Sequence, residues 1–171
     1  MNDRQVDLIE ENIDLAIRIG ELEDSSLIAR KLARVHFATC ASPGYLEKYG
    51  EPGHPSELVE HEVLVYSNLA VGRQWFYQQD GKQISPRMKY RVSANNGEFL
   101  AALACFGTAI VNGPLALMQR HIESGELVPI LQRHTRPEVG MYAVYPPGRL
   151  ISRRVRVFSD ALYEHFRERS I

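Results

Sequence analysis

A chain of 171 residues with 44% hydrophobic and 24% charged side chains has room for one ordinary domain or two small lobes around a real core. Twenty basic against twenty-one acidic side chains give a formal charge of -1, which excludes the overall positive field of a nucleic-acid binder. The first twenty residues hold neither a signal-peptide core nor the apolar run a membrane span needs, so a cytoplasmic chain with no membrane partner is expected.

Val6, Ile9 and Ile13 stand at helical spacing and predict a short amphipathic turn over residues 4–11. Residues 13–19, β-branched and closed by Gly20, predict a strand buried on most sides. Residues 27–39 predict a second strand, which leads into the turn Ala41-Ser42-Pro43-Gly44. Residues 45–55 are dense in Gly and Pro, predict a loop after a short helical turn, and mark a first boundary. Ser56 to His61 reads as a capped single turn and Val63 to Tyr66 as a strand. Asp80-Gly81 between Trp75-Phe76-Tyr77 and Gln83-Ile84 is a hairpin signal, and Met88 to Ala94 alternates as a half-exposed strand.

After Asn95-Asn96-Gly97-Glu98, where an asparagine caps, residues 99–106 predict a helix stopped by Gly107. Thr108 to Val111 is a strand, and Asn112-Gly113-Pro114 opens another helix with Pro114 in its first turn. Residues 127–131 are a strand, 134–140 a polar loop, 141–145 a strand, and Pro146-Pro147-Gly148 a second boundary. Residues 152–169 predict a closing helix with Val155, Phe158, Leu162 and Phe166 on one face. Strands alternating with helices predict an α/β fold with a largely parallel sheet.

No nucleophile elbow, phosphate loop, H-E-x-x-H or C-x-x-C motif occurs, so no catalytic residue, metal or cofactor is expected. His36 and Cys40 are four residues apart, but on a strand that spacing does not gather ligands. His54 and His61 are expected as surface side chains and Glu10-Glu11 as part of a solvated helix face. Cys40 and Cys105 read as buried thiols, with a redox switch as the sharper alternative.

The informative places are strand-to-helix junctions, because ligands of open α/β sheets gather beyond the carboxyl ends of strands. Asn95, Asn96, Asn112 and Pro114 lie at two such junctions, and Arg18 ends a third strand. Together they suit a small carboxylate or phosphate. Equally, the asparagines only cap helices and Arg18 pairs with a local acid, and the residues leave both readings open.

The ordered pieces Asp14-Leu15-Ala16-Ile17-Arg18-Ile19-Gly20, Ser25 to Leu32, Ala41-Ser42-Pro43-Gly44-Tyr45-Leu46, Ala94-Asn95-Asn96-Gly97-Glu98, Gly125-Glu126-Leu127-Val128-Pro129 and Tyr142 to Pro147 resemble the effector-binding domain of LysR-type transcriptional regulators. The resemblance implies a type 2 periplasmic-binding-protein fold: two lobes joined by two crossing strands, with a small effector in the cleft between them. It places a partial first lobe at residues 1–40 and 145–171 and the second lobe at 41–144. By carry-over, Arg18 and Ser42 face the cleft from the first lobe and hinge, and Asn95, Asn96, Asn112 and Pro114 line it from the second. The implied partners are an organic-anion effector, further copies of the chain, and DNA only through a winged helix-turn-helix that is expected to be absent here. The first lobe is expected to be incomplete, with an exposed sheet edge. The alternatives are a solute-binding protein of similar fold or a truncated fragment without function of its own.

Overall fold

The computed structural model describes residues 8, 12–20, 27–67, 74–136, 138–146 and 152–166. The expected helical turn at residues 4–11 and the pair Glu10-Glu11 lie almost wholly outside them. The chain forms two compact units, one built on Phe37–Pro137 and one on Val6–His36 with Glu138–Ile171. These divisions fall slightly earlier than the expected 40/41 and 144/145. Each strand goes whole with the sheet it hydrogen-bonds, and the Pro- and Gly-rich turns follow those strands rather than mark the crossing.

In the smaller unit, β1 (Ala16–Ile19), β2 (Ile28–Val35) and β10 (Val139–Tyr145) form an antiparallel sheet in the order β1-β10-β2. The strand expected to be buried on most sides is instead, among the described residues, a short edge strand with one neighbour, and Ile17 is 44% and Ile19 38% exposed. The expected single strand over 27–39 is two strands divided at His36 and belonging to different sheets. Lys31 pairs with Tyr142 and Ala33 with Met141, so Leu32 is the extra residue of a β-bulge, and Leu32 and Ala33 are both buried.

Helix α4 (Arg153–Phe166) packs on this sheet through polar groups. Arg30 Nη1 lies 2.5 Å from Asp160 and its guanidinium 4.4 Å from the Tyr163 ring, while the Tyr145 hydroxyl bonds Ser159. Of the expected apolar face, Val155, Leu162 and Phe166 are half-buried on the side of the buried Ser159, and Phe158 alone departs from it at 55% exposed. The Tyr145 hydroxyl finds its partner within that side of the helix.

In the larger unit, β3 (Phe37–Ala41) leads through α1 (Pro43–Tyr49) and a 3-10 turn at Pro55–Glu60 to β4 (Glu62–Tyr66). Next come the hairpin β5 (Tyr77–Gln79) and β6 (Lys82–Ile84), then β7 (Lys89–Ala94), α2 (Gly97–Cys105), β8 (Ile110–Pro114), α3 (Leu115–Glu123) and β9 (Val128–Ile130). The hairpin turn uses Asp80 and Gly81, both at positive φ, as the right-handed twist of paired strands requires.

The five-stranded sheet has the order β7-β4-β8-β3-β9. It is mixed rather than largely parallel: β7, β4 and β8 run together, and β3 runs against both β8 and β9. Helix and strand alternation does not report the direction of a strand whose chain enters from the other unit. Period-2 alternation sorts the side chains cleanly. Ala41, Val63, Val65 and Ile110 face one side with Leu58, Trp75, Tyr77 and Ile130. Cys40, Leu64 and Val111 face the other, under Leu100 and Ala104 of α2 and Met118 of α3. Fully burying each aliphatic or aromatic side chain contributes roughly 1.5–3 kcal/mol, so among the described residues both faces of this sheet are stabilised by packing.

Candidate functional site

The parallel strands β7, β4 and β8 end on one edge of the larger sheet, where β3 begins. Asn95, Asn96, Asn112 and Pro114 all lie at that edge. Ser42, which follows the far end of β3, stands at the opposite edge and is not brought together with them. Arg18 belongs to the smaller unit, opposite Tyr142 in the β1–β10 ladder.

Asn96 caps α2, its Oδ1 accepting from Phe99 N at 2.8 Å, and Asn95 is exposed beside it. Asn112 does not open a helix. It is in β8, and α3 starts after Pro114 with no side-chain cap. Its Nδ2 instead donates to Thr39 Oγ1 at 2.8 Å, and that oxygen lies 2.9 Å from the Tyr77 hydroxyl.

Thr39 and Tyr77 are buried, Asn112 is half-buried at the mouth, and burial pushes the Tyr77 hydroxyl well above its ordinary range, partly offset by its bond to Thr39. Phe37 pairs with Pro114 on the same edge, and the Arg136 guanidinium sits 5.9 Å from the Phe37 ring and 5.4 Å from the Phe76 ring. The edge thus offers a stacked cation and a carboxamide with donor and acceptor capacity left over, a pairing suited to a planar anion.

Sequence reasoning passed over Thr39, Tyr77 and Arg136. Thr39 reads as a strand residue, Tyr77 as a hairpin residue and Arg136 as part of a polar loop. Only the Thr39–Asn112 register and the isolated bridge between Tyr77 and Thr135 bring them together.

At the opposite edge, Ser42 is buried and caps α1 by accepting from Tyr45 N at 3.2 Å. It borders a cavity of about 430 Å³ with Gly44, Cys105, Phe106, Gly107 and Glu126. Gly107 has φ +72, and a Cβ there would come 3.4 Å from Ser42 Oγ. Nearby, His121 Nδ1 lies 2.7 Å from Glu126 Oε2, and this bond, then that from Ser124, holds the Glu126 carboxyl below its usual range.

Burial pushes the Cys40 thiol up to about 12 and also raises Cys105, so neither is the activated thiolate that a redox switch uses. Both cysteines are free.

Three other histidines bond within the protein. His61, expected at the surface, is buried against the Tyr45 hydroxyl at 3.2 Å. His54 caps the 3-10 turn, and His36 pairs with Glu138 in the smaller unit, apart from Cys40 in the core of the larger.

Two α/β units, each assembled from separate stretches of the chain, define the type 2 periplasmic-binding-protein fold, and strand ends such as these are where ligands of α/β sheets gather. The model of the family described as LysR substrate binding domain matches residues 1–167, and the chain belongs to that family. An uncharacterised HTH-type transcriptional regulator of Haemophilus influenzae is 38% identical over 150 residues, covering 86% of this chain and 51% of that protein. The regulatory domain of CrgA, a LysR-type regulator from Neisseria meningitidis, superposes with a TM-score of 0.73 at 34% identity, over 92% of this chain and 78% of that one. The full-length Vibrio cholerae virulence activator AphB gives 0.77 at 27% identity, over 94% and 55%. The chain spans about half the length of the curated relatives it matches. Those relatives are transcriptional regulators rather than enzymes. Among the described residues no helix is long and apolar enough to cross a membrane.

Proposed function

We propose that this chain is the effector-sensing module of a cytoplasmic LysR-type transcriptional regulator and that its effector is a small organic anion. The observation that carries the reading is the Tyr77–Thr39–Asn112 relay, which fixes the Asn112 carboxamide at the strand ends of the larger unit while Arg136 stacks by Phe37 and Phe76. Asn95, Asn96 and Pro114 stand at the same edge as further candidate contacts. Arg18 enters on the family resemblance alone, as a second cation. In the intact regulator, self-association and DNA binding through a separate domain would convert effector occupancy into promoter geometry, a coupling of two sites through one equilibrium.

A thermal-shift screen of aromatic and aliphatic carboxylates tests this. A true effector at a hundred times its Kd stabilises by about 2.7 kcal/mol and raises Tm. Asn112→Ala and Arg136→Ala, each still folded by circular dichroism, should lose that rise, and Arg18→Ala tests the carried-over cation. A screen with no hit, or a hit that both larger-unit variants retain in full, overturns the anion site.

A further inference from the structure

Cys105 closes α2, His121 lies in the last turn of α3 and Glu126 stands in the turn before β9. One ligand atom from each (the thiol sulfur, an imidazole nitrogen and a carboxylate oxygen) lies within 4.8 Å of the others. We propose that these three residues form a zinc(II) site with an open fourth position, at the edge of the sheet opposite the candidate effector groups.

The donor set fits the ion. Thiolate, imidazole and carboxylate are the three side-chain types zinc takes, and three protein ligands with water in the fourth place is its open form. The cavity of about 430 Å³ that Cys105 and Glu126 border supplies room for that water or for an exogenous ligand. The three ligands are also held in place by the core beneath them. Leu100, Ala101 and Ala104 under α2, Met118 under α3, and Leu127 next to Glu126 belong to one buried cluster.

Glu126 is already oriented by His121 at 2.7 Å and by Ser124 Oγ at 3.0 Å, while Cys105 Sγ donates to Ala101 O at 3.3 Å. Coordination requires the His121–Glu126 pair, now 2.7 Å apart, to open around the ion while the thiol sulfur closes on it. As the Zn–S bond forms, the Cys105 S–H bond breaks and its proton passes to the buffer. Where the ion takes His121 Nδ1, the hydrogen between that atom and Glu126 Oε2 is displaced and the neutral imidazole carries its hydrogen on Nε2 instead. Arg120, whose Nε is 3.4 Å from His121 Nε2, opposes a cation here, but it is exposed and water screens it.

Cobalt(II), zinc's spectroscopic surrogate, is the probe. Added to the reduced full chain it should produce a thiolate-to-cobalt charge-transfer band in the near ultraviolet, which zinc then abolishes. Cys105→Ser should remove the band and weaken zinc binding at least about tenfold. Glu126→Gln, at an exposed position that does not threaten folding, should weaken zinc binding while keeping the band. Cys40→Ser should change neither. Absence of the band from the wild type overturns the site, as does a band that survives Cys105→Ser or zinc affinity that is indifferent to Glu126→Gln.

Discussion

Thr39 is the residue on which the candidate effector edge turns, because its single oxygen serves both the Asn112 amide and the Tyr77 hydroxyl. A buried polar group left without a partner costs more than the bond itself contributes, so the order of effects is fixed. Thr39→Val, which takes the partner from two groups, should cost about 2 kcal/mol in urea unfolding, and Tyr77→Phe, which removes one hydroxyl with its own bond, about 1 kcal/mol. The reverse order would mean that the relay does not hold the edge together. Cys40 makes a pH prediction of definite sign. Its folded value of about 12 lies above the ordinary 9.0, so the unfolded chain loses this proton first and stability present below pH 9 declines as pH rises. The contribution is about 1.4 kcal/mol per pH unit, and Cys40→Ala should flatten the fall between pH 9 and 10 in denaturant titrations. At this scale the sequence singled out Asn112 at the opening of a helix, as either a cap or an effector contact. Its real partner is a threonine 73 positions away, which no local pattern announces.

Elements were legible where local chemistry decides them. The Asp80-Gly81 hairpin and the Asn96 cap of α2 both form as read. Asn96→Ala should destabilise the chain by about 1 kcal/mol, and Asn96→Asp should keep that stability because aspartate caps equally well. Asn96→Asp also puts a negative charge at the proposed site, so retained Tm with a lost response to the organic anion identifies Asn96 as a contact rather than only a cap. Elements were misread where tertiary context decides them. The opening strand looks like a core strand by composition, yet among the described residues it has one neighbour and lies at an edge. On α4 the hydrophobic spacing picked out Val155, Leu162 and Phe166, which are half-buried, but placed Phe158 wrongly and missed the contacts of Ser159 with Tyr145 and of Asp160 with Arg30.

For the whole molecule, the two units differ in how much apolar surface their described residues enclose. The larger sheet is packed on both faces, whereas the smaller has one described covering helix and isoleucines left exposed on β1. Amides of β1 should therefore exchange with deuterium before those of β4 and β8 in native-state mass spectrometry, with uniform exchange counting against separate local stabilities. The charge of -1 predicts that the isolated chain gives no salt-dependent gel shift on a regulator promoter. The α/β class and two-unit organisation were legible as a succession of weak pieces; strand direction was not, since it is set by where the chain crosses. Placing Asn112 on a strand also restricts how chains of this kind can vary in length. A strand residue has only two facings, so gaining or losing one residue between Gly107 and Ile110 would turn the carboxamide in toward Leu100 and Met118 and bring an aliphatic neighbour to the edge. Insertions and deletions should be tolerated at the exposed Asp80-Gly81 tip and rejected ahead of β8, which makes the spacing before Asn112, more than the residue types around it, the feature that related chains must keep.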